Sequence, residues 1–224
     1  KPTRVVAATE VMEGRPCYEV EFSDGTVIVA DEQHQWLTET GSEVRVRTTA
    51  QLVESISDGH VVRNVGALQL PERELDVAPY AVGVALAANG PLEAEVLMRA
   101  SGVFDTVAHG RVPAHYLRGS EAQRRELLAG VLDVAGSVAD DGSVYLDVAG
   151  GLGSDVQELL FGLGYTCAAG DGSLSFCADE DVFTLHRKAV AHKELRTAVA
   201  GSRYIVDVRK VDSVPVRCVE VDNP

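Results

Sequence analysis

Residues 14–39, GRPCYEVEFSDGTVIVADEQHQWLTE, decide the fold of this chain. Tyr18, Val20 and Phe22 alternate with Glu19, Glu21 and Ser23, which is the period of a strand with one buried face. Asp24-Gly25 supplies a tight turn and residues 26–29 run back, so the segment reads as a β-hairpin. The returning strand ends in ADEQHQWLTET, which places Asp31, His34 and Trp36, the only tryptophan, within six residues. An acid, an imidazole and an indole on a strand end held by its partner form a candidate site.

Outward from the hairpin, the first sixty or so residues read as strands and turns, followed by TTAQLVESI, where Thr48 or Thr49 caps a short helix. From about Pro71 the texture changes to alanine-rich helical stretches and glycine-rich hairpins. PYAVGVALAANG is one helix. SEAQRRELLAGVLDVAGS is another, with Ser120 as N-cap, Gln123 as its capping-box partner and Gly136 as the stop. SDVQELLFGLG repeats the device with Ser154 and Gln157. GSVYLDVAG and YTCAAGDGSLSFCA read as strand or hairpin, giving the order helix, strands, helix, strands, helix over roughly 71–200. The end, SRYIVDVRKVDSVPVRCVEVDNP, returns to strands at residues 204–208 and 216–221. An all-β beginning and end around an α/β middle predict a discontinuous domain carrying an insertion.

The 224 residues suffice for one large or two modest domains. No apolar run reaches about 18 residues, and KPTRVVAATEV lacks a signal-peptide layout, so a cytoplasmic protein with no membrane partner is expected. The net charge of -14 opposes nucleic acid and anionic membranes. The densest basic groups are only the pairs Arg124-Arg125 and Arg187-Lys188. Cys17, Cys167, Cys177 and Cys218 show no CxxC spacing, which argues against a zinc site. Cys167 and Cys177 flank a turn where they could face each other, although small buried side chains are the default reading in a reducing compartment.

Within the middle segment, residues 128–136 (Leu128, Ala129, Gly130, Val131, Leu132, Asp133, Val134, Ala135, Gly136) resemble the signature helix of LAGLIDADG homing endonucleases. The resemblance implies two such helices packed through small residues, each with a penultimate acid holding the metal ions that activate water. Here that position is Ala135. In the partner, YAVGVALAANG, it is Asn89, or Ala88 in the other register. No two-metal site assembles from these side chains. Residues 71–200 hold ten Lys and Arg against nineteen Asp and Glu, a net charge of -9. DNA binding is expected to be weak or absent, and cleavage to have been lost.

The flanks carry the broader resemblance. Residues 14–39 are similar to the second conserved block of inteins, and VDSVPVRCVEVDNP to the start of their C-terminal splicing region. With PYAVG and YLRGSEAQRRELLAGVLD, nearly all 224 residues resemble inteins of bacterial DnaB replicative helicases. This implies a mainly β, horseshoe-like Hint domain, discontinuous over residues 1–70 and 202–224, interrupted by an α+β LAGLIDADG endonuclease-like domain over 71–201. It implies autocatalytic excision from flanking host segments in cis, with no cofactor.

His34 matches the block histidine that protonates the departing nitrogen at the upstream junction, a task suited to imidazole. Asp31 stands where a threonine is common. It either orients His34 and raises its basicity or is a solvated strand-end acid. A block tryptophan, Trp36, together with Cys218 in place of the usual aspartate resembles class 3 inteins, in which that internal cysteine attacks the upstream carbonyl. Trp36 then positions the cysteine or shields the thioester, and Cys218 is activated by His34 or by peptide dipoles. Without the resemblance, Cys218 and Trp36 read as packing residues. The opening and closing blocks of the family, with the third-marker threonine and the terminal asparagine, are not matched. Cys17 has no assigned role, and His60, His109, His115, His186 and His192 are expected as surface or partly buried polar residues. Two competing functions are an active site-specific homing endonuclease and a non-enzymatic regulatory module of the host helicase.

Overall fold

The computed structural model describes residues 4–88, 95–100, 102–148, 150–196 and 202–222. In chain order come β1 (Val5–Ala8), β2 (Cys17–Phe22), β3 (Val27–Asp31), β4 (Gln35–Thr40), β5 (Glu43–Thr48), α1 (Thr49–Ser55) and β6 (Val61–Arg63). Next are α2 (Pro79–Ala88), α3 (Glu95–Ala100), α4 (Phe104–Ala108), α5 (Ala114–Leu117), α6 (Glu121–Ala135), β7 (Gly136–Val138), β8 (Val144–Asp147), α7 (Gly150–Gly162), β9 (Cys167–Gly170), β10 (Ser173–Phe176) and α8 (His186–Leu195). The chain closes with β11 (Ser202–Val211) and β12 (Val219–Val221). Backbone contacts group Val65–Val199 into one unit and Pro2–Asn64 with Ala200–Pro224 into another. The sequence reading draws these limits at 71 and 201.

The discontinuous unit is β-rich. Among the described residues its main sheet has the order β3-β2-β11-β6-β4-β5, and β1 pairs separately with β12. The β2–β3 hairpin forms around Asp24-Gly25, with Gly25 at φ 79° and the Thr26 N–H donating to Asp24 Oδ1. Three residues join β3 to β4, although these are first and fifth in the sheet order. A flat sheet would separate them by about 19 Å, and three residues span at most about 14 Å. The sheet must therefore fold over. β11 makes the bend: its first half pairs with β6, its second half with β2, and the register shifts between Ile205 and Asp207. Val20, Phe22, Ala30, Trp36, Leu52 and Ile205 fill the interior. His60 is buried among them and not at the surface. Its Nε2 donates to the Ser55 carbonyl at 2.8 Å, and its Nδ1 lies 3.2 Å from Thr40 Oγ1.

In the contiguous unit, helices cover an antiparallel sheet of order β7-β8-β10-β9 among the described residues. The α6 start is as the sequence predicts: Ser120 and Gln123 form a reciprocal capping box, and Gly136 follows the last turn. For α7 the expectation fails. The helix begins at Gly150, so Ser154 lies inside it and its hydroxyl turns back to the Gly150 carbonyl instead of capping. α2 and α6 touch through Gly83 and Gly130, where an added methyl on either would meet the other helix's backbone at 2.2 Å. Arg124 is no basic patch. It is 1% exposed and donates to the carbonyls of Gly119, Gly162 and Leu68. The neighbouring Arg125 pairs with Glu121 and Glu180. Lys188 likewise caps α6 by donating to the carbonyls of Leu132, Asp133 and Gly136. Cys167 sits opposite Phe176, which leaves Cys177 beyond the pairing; all four thiols are free, Cys167 is half-buried, and Cys177 is exposed instead of buried.

His192 is also buried, with its ring 5.8 Å from Phe183 and its Nε2 unpartnered. Burial, reinforced by the Arg196 charge, pushes its imidazole below the ordinary value of 6.5. The unfolded chain then binds the extra proton first, so stability is held above that value and lost as pH falls below it. We expect His192→Leu to flatten this acid-side loss in urea titrations between about pH 7 and pH 5. Among the described residues no helix is long and apolar enough to cross a membrane.

Candidate functional site

The β3–β4 corner is built from main-chain donors that would otherwise go unpaired. Glu32 N–H donates to the Pro16 carbonyl at 2.9 Å, and His34 N–H to the Asp31 carbonyl at 3.2 Å. The first N–H groups of α1 have no intrahelical acceptor, and the corner supplies them. Thr49 N–H reaches the His34 carbonyl at 3.0 Å and Ala50 N–H the Glu32 carbonyl at 3.1 Å. Thr48 caps the same turn in a capping box with Gln51. Trp36 is the first inward-facing residue of β4 and is buried against Phe22, with ring centres 6.0 Å apart. Its indole Nε1–H donates to Thr49 Oγ1 at 3.0 Å. The imidazole of His34 stands edge-on to the indole, 4.7 Å between centres and 69° between planes. His34 is thus exposed to solvent while its base is fixed.

Asp31 differs from both readings of the sequence. It is 5% exposed, so it is not a solvated strand end. Its carboxylate accepts from Gln33 N–H at 3.0 Å and lies 2.7 Å from Arg15 Nε. Those contacts consume the side chain, and only its backbone carbonyl meets His34. The reason is register: Asp31 pairs with Cys17, which brings Arg15 across the end of β2.

Cys218 lies one residue before β12, not within a longer strand over 216–221. Its thiol is exposed. Thr9 grips it from both sides: Cys218 N–H donates to Thr9 Oγ1 at 3.1 Å, and the Thr9 N–H donates to the Cys218 carbonyl at 3.0 Å. Arg217 Nε holds the Thr9 carbonyl at 2.7 Å. Met12 bridges Val216, Cys17 Sγ lies 3.9 Å from the Val214 carbonyl, and Val211 pairs with Cys17. The segment bearing Cys218 therefore runs along residues 9–17, whose far end pairs with Asp31. No described contact joins the sulfur to His34. Trp36 likewise touches His34, Phe22 and Thr49 rather than Cys218. Sequence reasoning missed Thr9, Arg15 and Thr49. Only Thr49 had a signal, as a helix-capping candidate.

In the contiguous unit, Ala135 is half-buried at the end of α6 and Ala88 is exposed at the end of α2; neither carries a ligand atom. Asn89 lies outside the described residues. Asp133 is buried and acts as a clamp. It accepts from Tyr80 OH at 2.8 Å, Thr184 N–H at 3.0 Å and Leu185 N–H at 3.1 Å. Among the described residues no group of three or more His, Cys, Asp or Glu side chains is placed to hold a metal ion.

No protein-family model matches the chain. Its whole length is 42% identical to a replicative DNA helicase DnaB of Mycobacterium intracellulare, over an alignment of 289 positions covering half of that protein. A replicative DNA helicase DnaB of Mycobacterium leprae is 76% identical over 51 residues, which is 23% of this chain and 8% of that protein. The chain thus spans about half the length of the relative that it matches end to end. Among solved structures, the Msm DnaB1 intein splicing domain bound with zinc is 24% identical at a TM-score of 0.31, covering 100% of this chain and 64% of that one. The MchDnaB-1 intein is 25% identical at a TM-score of 0.29, covering 100% and 65%. At such scores the superpositions carry no argument about fold, and the likeness that counts is the end-to-end sequence match.

Proposed function

We propose that this chain is an intein sequence, a segment that splices itself out of a DnaB-type replicative helicase. The observation that carries this reading is the convergence of two distant segments. Residues 14–39 and 211–221, which resemble opposite splicing blocks, run side by side in one unit through Val211 and Cys17 and through Val214 and Cys17, and the bridge of Val216 to Met12 continues the run just upstream. The end-to-end likeness to a DnaB helicase supports the host assignment.

In the proposed step the Cys218 thiol loses its proton to solvent and the thiolate attacks the carbonyl carbon of the upstream junction. The C–S bond forms and the C–N bond breaks. His34, as its imidazolium, gives a proton to the departing amine nitrogen. Trp36 backs the imidazole, and the acyl group then passes to the first downstream host residue. Asp31 serves by holding Arg15 and the corner. The contiguous unit is a LAGLIDADG-type endonuclease relic without cleavage, supported by Ala135 and Ala88 at the ends of α6 and α2 and by the net charge of -9 over residues 71–200.

Hydroxylamine added to a precursor with host segments on both sides releases the upstream segment as a hydroxamate, because it cleaves the thioester. We expect His34→Ala to slow that release by about 10²–10⁴-fold. A precursor in which hydroxylamine releases nothing counts against the reading.

A further inference from the structure

Thr49 holds three hydrogen bonds that converge on the β3–β4 corner. Its hydroxyl accepts from Trp36 Nε1 at 3.0 Å and points to the His34 carbonyl at 3.4 Å, while its amide donates to the same carbonyl at 3.0 Å. The donor and acceptor inventory closes: one lone pair takes the indole proton, and the hydroxyl proton goes to the carbonyl. The residue is 0% exposed. It is the first residue of α1, so the helix, the indole and the main chain under the imidazole meet in one side chain.

We propose that Thr49 is a positioning residue that locks Trp36 and His34 into one rigid pair and so sets the pose in which the imidazole is offered to the solvent side of the corner. Thr49 touches no reacting atom. It acts through Trp36, whose ring is fixed at its polar end by the Nε1 anchor, and through the carbonyl of His34. A hydroxyl is required because a side chain of the same shape lacking one leaves a buried indole N–H without an acceptor. For the reaction this inference rests on the splicing reading. For the geometry it stands alone.

Trp36 is the only tryptophan, so indole emission reports on this corner alone. A protonated imidazole in contact with an indole quenches it, so the emission of the chain should step down as His34 takes up a proton. Loss of that step in His34→Gln assigns it. We expect Thr49→Val to abolish the step in a chain that is still folded by circular dichroism, and Thr49→Ser to retain it. An unchanged step in folded Thr49→Val overturns the proposal, since a residue that contributed only stability would lower the urea midpoint and leave the step alone. Where Thr49→Val does not fold, hydrogen exchange of the Trp36 indole N–H in the unaltered chain decides: protection is expected, and exchange as fast as free indole overturns it. In a full-length precursor, Thr49→Val should slow upstream cleavage about tenfold or more through misorientation of the proton donor, with Thr49→Ser restoring it. Unchanged cleavage in a chain that has lost the step removes Thr49 from the reaction. If Cys218→Ala leaves cleavage intact, the splicing reading fails, while the optical and exchange results still judge Thr49.

Discussion

Cys218→Ala in a precursor carrying host segments on both sides stops cleavage at the upstream junction, with a loss on the order of 10⁴-fold or more. The size follows from the role: deleting a nucleophile removes the covalent path altogether, and what remains is the catalysis that positioning alone supplies. Misfolding does not confound the result. The thiol is exposed, and the two hydrogen bonds that place residue 218 run from its backbone to Thr9. Substitutions at such surface positions cost within about 0.5 kcal/mol. Gel separation of precursor from released upstream segment reads the outcome. Cleavage at the original rate in the alanine variant would end the assignment of Cys218 and the class 3 resemblance with it.

The second large effect lies in the contiguous unit. Gly130→Ala should destabilise it by about 3 kcal/mol, the upper end of what overpacking costs, because the buried overlap has no flexible side chain to absorb it. The new methyl would stand 2.2 Å from the Tyr80 carbonyl oxygen and 3.0 Å from the Val84 nitrogen, both backbone atoms of α2. Gly83→Ala meets the mirror-image obstacle at the Leu127 carbonyl. In an isolated helix the same exchange is favourable by about 1 kcal/mol, because alanine is the better helix former. The sign of the urea-midpoint shift therefore separates close helix contact from intrinsic propensity. A stabilised Gly130→Ala variant would show that α2 and α6 do not meet at this point.

Local patterns were legible where the physics is local. The alternation in CYEVEF, the Asp24-Gly25 turn, the helix cap offered at Thr48 or Thr49, which falls on Thr48, and the capping box at Ser120 each involve residues within a few positions, and all appear in the structure. Ser154 was misread because a capping pattern cannot show that glycines before it will also enter the helix. Arg124 reads in the sequence only as half of a basic pair, yet it is buried and its three carbonyl acceptors come from residues 68, 119 and 162, a convergence no window of sequence contains. The same limit applies to the site. His34 and Trp36 were legible as neighbours, but the Thr49 hydroxyl between them, the Arg15 charge on Asp31 and the Thr9 grip on Cys218 depend on pairing between distant strands. His60 and His192 were read as surface or partly buried residues for the same reason.

β11 has a consequence for how the molecule is born. It is the central strand of the folded sheet, bonded to β2 on one side and β6 on the other, yet it is encoded after the entire Val65–Val199 unit. At ribosomal speeds of about 5–20 residues per second, the strands upstream wait roughly seven to thirty seconds for the piece that joins them. During that interval β2–β3 and β4–β5 are separate hairpins with open edges, while the later-made unit, being contiguous, can complete itself first. The nascent chain therefore keeps residues 14–39 and 211–221 apart until the whole Val65–Val199 unit has been made, a delay written into the order of its strands.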